Sequence, residues 1–178
     1  MSLVTGLQRT FIRWMQRKHT SRDKVEIKNF EEIKKVCLLT SLSHEDTLAD
    51  LKGVKTIYSK HNKFIDIIVY VPSKDLPNEL IASDLKVLSK QDLNNAGLFN
   101  KDFLNAIGKG KYDLFLYYNP GAFIPLEHAA SYVDALVNVG YETDEGFEPD
   151  ITIYPKTQGM IHFIDTVNFY LKNINRTL

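Results

Sequence analysis

The stretch KYDLFLYYNPGAFIPLEHAASYVDALVNVG, residues 111–140, decides the fold class. Tyr112 to Tyr118 is apolar or aromatic at nearly every position. A half-buried antiparallel strand alternates, whereas an unbroken run of this length suits a strand covered on both faces. Asn119-Pro120-Gly121 then breaks the run with turn residues. Pro125 suits the first turn of a helix, where its missing N–H costs nothing. Leu126, Ala129, Ala130, Val133 and Val137 follow at helical spacing, with Glu127, Ser131, Asp134 and Asn138 on the opposite side. This reading predicts a helix from Pro125 towards Gly140, which ends it or opens the next strand. Strand, helix and strand in that order describe a βαβ unit.

The flanking sequence repeats the alternation. Val36-Cys37-Leu38-Leu39 reads as the first strand, and Ser43 with Asp46 fits an S-x-x-D cap for a helix running to about Leu51. Residues 54–58 read equally as a short strand or a loop. FIDIIVYV, residues 64–71, is a strand ended by Pro72, and residues 85–88 form another. Residues 73–78 and 89–97 read as loops, and Lys101 to Ile107 as a short helix. Ile151 to Tyr154 is the last strand and Met160 to Asn173 the closing helix. The pattern predicts an α/β fold, a three-layer sandwich with a mostly parallel, Rossmann-like sheet, as one domain over residues 23–178.

Residues 1–22 precede that domain and read as an amphipathic basic helix. Leu3, Leu7, Phe11 and Trp14 share one face, and Arg9, Arg13 and Arg17 form a stripe at i, i+4 spacing. Such a helix lies on anionic lipid, docks a partner, or packs on its own domain or a second copy. The basic residues Arg9, Arg13, Arg17, Lys18 and Arg22 have no acid among them, while the whole chain of 178 residues has a net charge of zero. That neutrality implies no general attraction to nucleic acid. A single cysteine, Cys37, excludes a disulfide framework and a cysteine-based zinc site, and its apolar surroundings mark it as a core residue. No stretch approaches the roughly 20 apolar residues that span a bilayer, and the N-terminus lacks the apolar core of a secretory signal. The expected location is cytoplasmic, with membrane association through residues 1–22 as the variant.

Catalytic constellations are missing: no G-x-S-x-G, H-E-x-x-H or G-K-[ST] pattern occurs, and the five histidines are scattered. His128 and His162 read as surface or partly packed helix residues. No catalytic residue, metal ligand or cofactor is assigned. The acids of YETDEGFEPD, residues 141–150, do not match a calcium loop and read as solvated. The remaining pointer is positional, because open α/β sheets bind ligands beyond the carboxyl ends of their strands. There Ser43, His44, Asn119 and Gly121 are candidates for a small anionic ligand, as are Asp92 and Asn95 in the polar loop. Each has a plainer reading as a cap or turn former. Phe163, Phe169 and Tyr170 widen the apolar surface of the closing helix. With Phe11 and Trp14 they are candidates for a contact with another copy or a partner protein.

LSKQDLNNAG (88–97), KYDLFLYYN (111–119), PLEHAASYVDALVNVGY (125–141), PDITIYP (149–155) and the ending YLKNIN (170–175) occur in this order. Over residues 85–175 that order resembles a family of small, uncharacterised bacterial α/β proteins, a domain of unknown function. The resemblance implies the fold and a bacterial cytoplasmic setting, and carries no activity and no site residues. The strand–turn–helix also resembles one half of a sugar-nucleotide glycosyltransferase, at the level of fold alone. Three readings follow: a non-catalytic binding or interaction module, a nucleotide or sugar-nucleotide site at the Ser43 and Asn119 strand ends, and a peripheral membrane protein held by the basic helix.

Overall fold

The computed structural model describes residues 25–42, 47–73, 78–81, 83, 85–141, 147–154, 157 and 159–174, with Thr10 and Trp14. The expected helix over residues 1–22 lies otherwise outside the described residues, as do Phe11, Ser43, His44 and most of the acids of the 141–150 loop.

Six strands form one sheet: β1 (Lys35–Ser41), β2 (Phe64–Tyr70), β3 (Lys86–Leu88), β4 (Lys111–Tyr118), β5 (Asp134–Tyr141) and β6 (Ile151–Ile153). Every pairing is parallel and the order is β3-β2-β1-β4-β5-β6. This is the doubly wound order, whose direction of growth reverses between β1 and β4. The helices are α1 (Leu48–Lys60), α2 (Asn78–Ile81), α3 (Lys101–Gly108), α4 (Ile124–Ala130) and α5 (Met160–Asn173), with single 3₁₀ turns at Phe30–Glu32 and Lys90–Asp92.

Apolar runs become strands here because both faces are covered. Val36 and Leu38 of β1 join one core with Leu51, Val54 and Tyr58 of α1 and Phe163, Ile164 and Val167 of α5. Cys37 and Leu39 join the other, with Leu104 and Ile107 of α3 and Leu126, Ala129 and Ala130 of α4. Tyr58 Oη donates to Asn168 Oδ1 at 3.0 Å inside the first core, joining α1 to α5. At the amino end of the sheet, the Asp113 carboxylate accepts from Lys28 Nζ at 2.7 Å and from the N–H groups of Lys34 and Lys35 at 2.8 and 3.0 Å. That carboxylate ties the entry of β1 to β4. Beside it the buried Lys63 donates to the carbonyls of Phe30 and Ile33.

Three expectations change. The helix after Pro125 stops at Ala130, and residues 134–141 are a strand. Val133 and Val137 have helical spacing, but Val137 and Val139 also alternate, and β-branched residues pack well on a pleated sheet. Pairing with the open side of β4 selects the strand. Gly140 therefore lies inside β5, where a Cβ would stand 2.7 Å from Pro149 Cγ. Second, residues 54–58 are helical: α1 runs to Lys60 and is capped by Thr47 with Asp50, each accepting from the other's backbone N–H. Third, α2 falls at the end of a region read as loop.

Candidate functional site

The doubly wound order directs attention to the carboxyl ends of β1 and β4. Ser41 and Asn119 meet there, both fully buried. Ser41 Oγ donates to Asn119 Oδ1 at 3.2 Å, and the Phe123 N–H donates to the same oxygen at 3.2 Å. Asn119 Nδ2 donates to Tyr117 Oη at 2.8 Å and to the Phe123 carbonyl at 3.1 Å. A primary amide has two donor hydrogens and room for about two acceptances, so this one is saturated. It holds the turn from Asn119 to Phe123 against the sheet. The turn is tight: Ala122 has φ of 47°, and a Cβ on the exposed Gly121 would run into the Phe123 ring.

The start of α4 offers little to an anion. Phe123 donates to Asn119, Pro125 has no N–H, and the N–H groups of Leu126 and Glu127 donate to the Phe123 carbonyl at 3.0 and 3.2 Å. Further along α4, Glu127 and His128 are both buried, where the sequence placed Glu127 on the polar side and read His128 as a surface or partly packed residue. Among the described residues His128 Nδ1 has no hydrogen-bond partner, its ring meets Tyr132 edge-on at 5.3 Å, and burial pushes its pKa down to about 4.

The polar-loop candidates are turn formers. Asp92 Oδ2 accepts from the Ser89 N–H at 2.6 Å and from Ser89 Oγ at 3.0 Å, closing a capping box on the 3₁₀ turn. Asn95 is exposed in the following turn, which Asn94 Oδ1 braces through the N–H groups of Ala96 and Leu98 at 2.9 and 3.2 Å. Among the described residues no hydrogen bond joins Asp92 or Asn95 to Ser41 or Asn119.

A second concavity lies at the opposite end of the sheet. It holds about 230 Å³ and is lined by Lys55, Asp66, Lys86, Ile107 and Tyr112, among others. Tyr112 Oη donates to Asp66 Oδ2 at 2.8 Å, and Lys35 Nζ sits 4.7 Å from the Tyr112 ring centre. Lys86 Nζ stands 4.8 Å from the centre of Phe103. Behind them Cys37 is fully buried; burial first and the Asp66 charge second push its thiol far above the usual range, and burial does the same to the Tyr112 hydroxyl. A thiol and a phenol held protonated this firmly are neither nucleophile nor base. The concavity's sequence signal is slight: Asp66 is the one charge inside FIDIIVYV.

Of the interface candidates, Phe163 is core, stacked on Tyr118 at 5.5 Å. Phe169 and Tyr170 lie on the surface of α5, 64% and 55% exposed, with ring centres 5.7 Å apart. Trp14 is also exposed. Among the described residues no group of His, Cys, Asp or Glu is placed to hold a metal ion, and no helix is long and apolar enough to cross a membrane.

No curated protein and no solved structure matches the chain. A family model does match, over residues 8–174, so the fold just described and nearly the whole sequence fall inside one unit, and the chain belongs to a family of unknown function, DUF6913.

Proposed function

We propose that the protein is a non-catalytic interaction module whose contact surface is the outer side of α5. The observation that carries this reading is the exposed ring pair of Phe169 and Tyr170. Phe163, Ile164, Val167 and Leu171 already bury the inner side of the helix. The two outer rings add nothing to that core, yet they are hydrated at a cost that a partner surface removes. Paired aromatics of this kind anchor protein contacts. Ile174, partly exposed just beyond α5, extends the surface. The partner we assign is a second copy of the chain, whose net charge of zero raises no long-range repulsion between copies. The saturated Asn119 amide and the protonated Cys37 thiol support the non-catalytic half of the reading.

Sedimentation velocity of the full chain over a concentration series tests it. The expected result is a dimer that returns to monomer in Phe169→Asp with Tyr170→Asp, the variant keeping its folded circular dichroism spectrum and losing the concentration dependence of Tm. A wild type that stays monomeric at every concentration removes the reading.

A further inference from the structure

The concavity beside β2 takes its walls from both layers of the fold. Asp66 and Ile68 lie two residues apart on β2, so they face the same side of the sheet. Contacts identify that side as the one covered by α3. Tyr112 Oη donates to Asp66 Oδ2 at 2.8 Å, Ile68 packs in the core that holds Ile107, and Lys86 Nζ stands 4.8 Å from the Phe103 ring centre. Lys86 is the ladder partner of Ile68. Neighbouring strands lie about 4.8 Å apart and two residues advance about 6.6 Å, which sets the Cα atoms of Asp66 and Lys86 about 8 Å apart. Their side chains therefore flank one small volume. Among the described residues no ion pair joins the two, and the hydrogen bond that reaches the Asp66 side chain is the one from Tyr112. A carboxylate has about four acceptor sites, so most of its capacity is open.

Most of the remaining wall is aliphatic: Ile65, Ile67, Leu85 and Ile107 line it, with Ala106 on the exposed side of α3. Lys55 of α1 and Lys86 supply the positive charge and Asp66 the negative. The volume of about 230 Å³ lies below the roughly 300–1,000 Å³ of pockets for drug-sized ligands. The occupant that fits is correspondingly small. Charge narrows it further. A simple anion is repelled by Asp66 and a simple cation by Lys86, whereas a molecule with both signs is attracted to both.

We propose that this concavity binds a small aliphatic α-amino acid, its ammonium on Asp66, its carboxylate on Lys86 and its side chain against Ile65 and Ile107. The two protein charges are held before the ligand arrives: Tyr112 Oη orients the carboxylate and the Phe103 ring seats the ammonium. Their close spacing suits ligand charges set one carbon apart, not at the two ends of a chain. The branched aliphatic wall suits a branched aliphatic side chain, whose burial adds to the charge pairing. This site is separate from the α5 surface and does not rest on it.

The probe is leucine, titrated into the full chain by isothermal titration calorimetry. Saturable one-to-one binding is expected, with shifts in the methyl resonances of Ile65 and Ile107. Isoamylamine keeps the side chain and the ammonium, isocaproate keeps the side chain and the carboxylate, and aminocaproate carries both charges at opposite ends of a chain. Each is expected to bind at least about tenfold more weakly than leucine. Asp66→Asn, which keeps an acceptor for Tyr112 Oη, and Lys86→Gln are each expected to weaken leucine binding by at least about tenfold. Ala106→Trp fills the concavity from the exposed side of α3 and is expected to abolish binding with an unchanged circular dichroism spectrum. Phe169→Asp with Tyr170→Asp is expected to leave binding intact, which separates this site from the α5 reading. Absence of leucine binding to the wild type overturns the proposal. So does binding that survives both Asp66→Asn and Ala106→Trp, which places leucine elsewhere. Isoamylamine or isocaproate binding as tightly as leucine assigns the site to a cation or an anion alone and also overturns it, as does aminocaproate binding as tightly.

Discussion

Asn119 shows how a residue with the right chemistry in the right place serves the fold instead of a ligand. An asparagine at the carboxyl end of a central strand is a natural ligand candidate, and its position was legible from the turn residues that follow it. Its engagement was not, because Ser41 comes from another strand and the Phe123 carbonyl from across the turn. Asn119→Leu removes four hydrogen bonds and leaves Ser41 Oγ and the Phe123 N–H with a lost partner. A buried group left so costs about 1–3 kcal/mol. At about 2–4 °C per kcal/mol for a domain of this size, thermal unfolding followed by circular dichroism should show a midpoint several degrees lower. An unchanged midpoint would mean that the amide is not bearing on the turn. Glu127 carries the same lesson, since helical spacing placed it on the polar side, and His128, read as surface or partly packed, is buried with it in α4.

At the scale of elements, α1 illustrates what a cap accomplishes. Gly53 lies inside it, at a cost of about 1 kcal/mol relative to alanine, and a Cβ there would make an ordinary contact with Ile161 Cδ1 of α5 at 3.6 Å. The reciprocal Thr47 and Asp50 bonds satisfy two N–H groups at its start. Thr47→Ala should lower stability by about 1 kcal/mol, read as a fall in the urea midpoint with an unchanged slope. A changed slope would instead report an altered unfolded or folded surface. The sequence reading placed this cap at Ser43 with Asp46, because S-x-x-D at residues 43–46 runs directly into T-x-x-D at residues 47–50. It also extended the helix after Pro125 through residues that form β5. Strands β1, β2, β3, β4 and β6 and helices α3 and α5 were legible because each pattern fits one kind of element. Residues 131–140 carry two periods, and only the unfilled side of β4 chooses between them.

For the molecule as a whole, two groups lower stability towards acid, each in its own pH window. His128 has its pKa lowered by burial from 6.5 to about 4. Between those values the unfolded chain binds a proton that the folded chain refuses, so stability is full above pH 6.5 and declines as pH falls towards 4. Burial raises the Asp113 carboxyl, but the Lys28 ammonium and the N–H groups of Lys34 and Lys35 outweigh it and hold the pKa below 3.8. Its contribution is present above pH 3.8 and is lost as pH falls through the lower folded value. The melting temperature of the wild type should therefore begin to fall well above the carboxylate range. His128→Leu should flatten the window between pH 6.5 and 4 while leaving the acid limb in place. The same slope in wild type and variant would rule His128 out as its cause.

Local chemistry settled much of this before any folding contact is considered. Turn residues, continuous apolar runs and one-period helices identify an α/β sandwich with a buried sheet, because each signal acts within a few residues of chain. Long-range contact settled the rest. The strand order, the identity of residues 134–141, the saturation of Asn119 and the burial of His128 all depend on partners far away in sequence. A backbone group is satisfied or exposed according to what lies beside it in space, and a residue cannot announce that from its own identity.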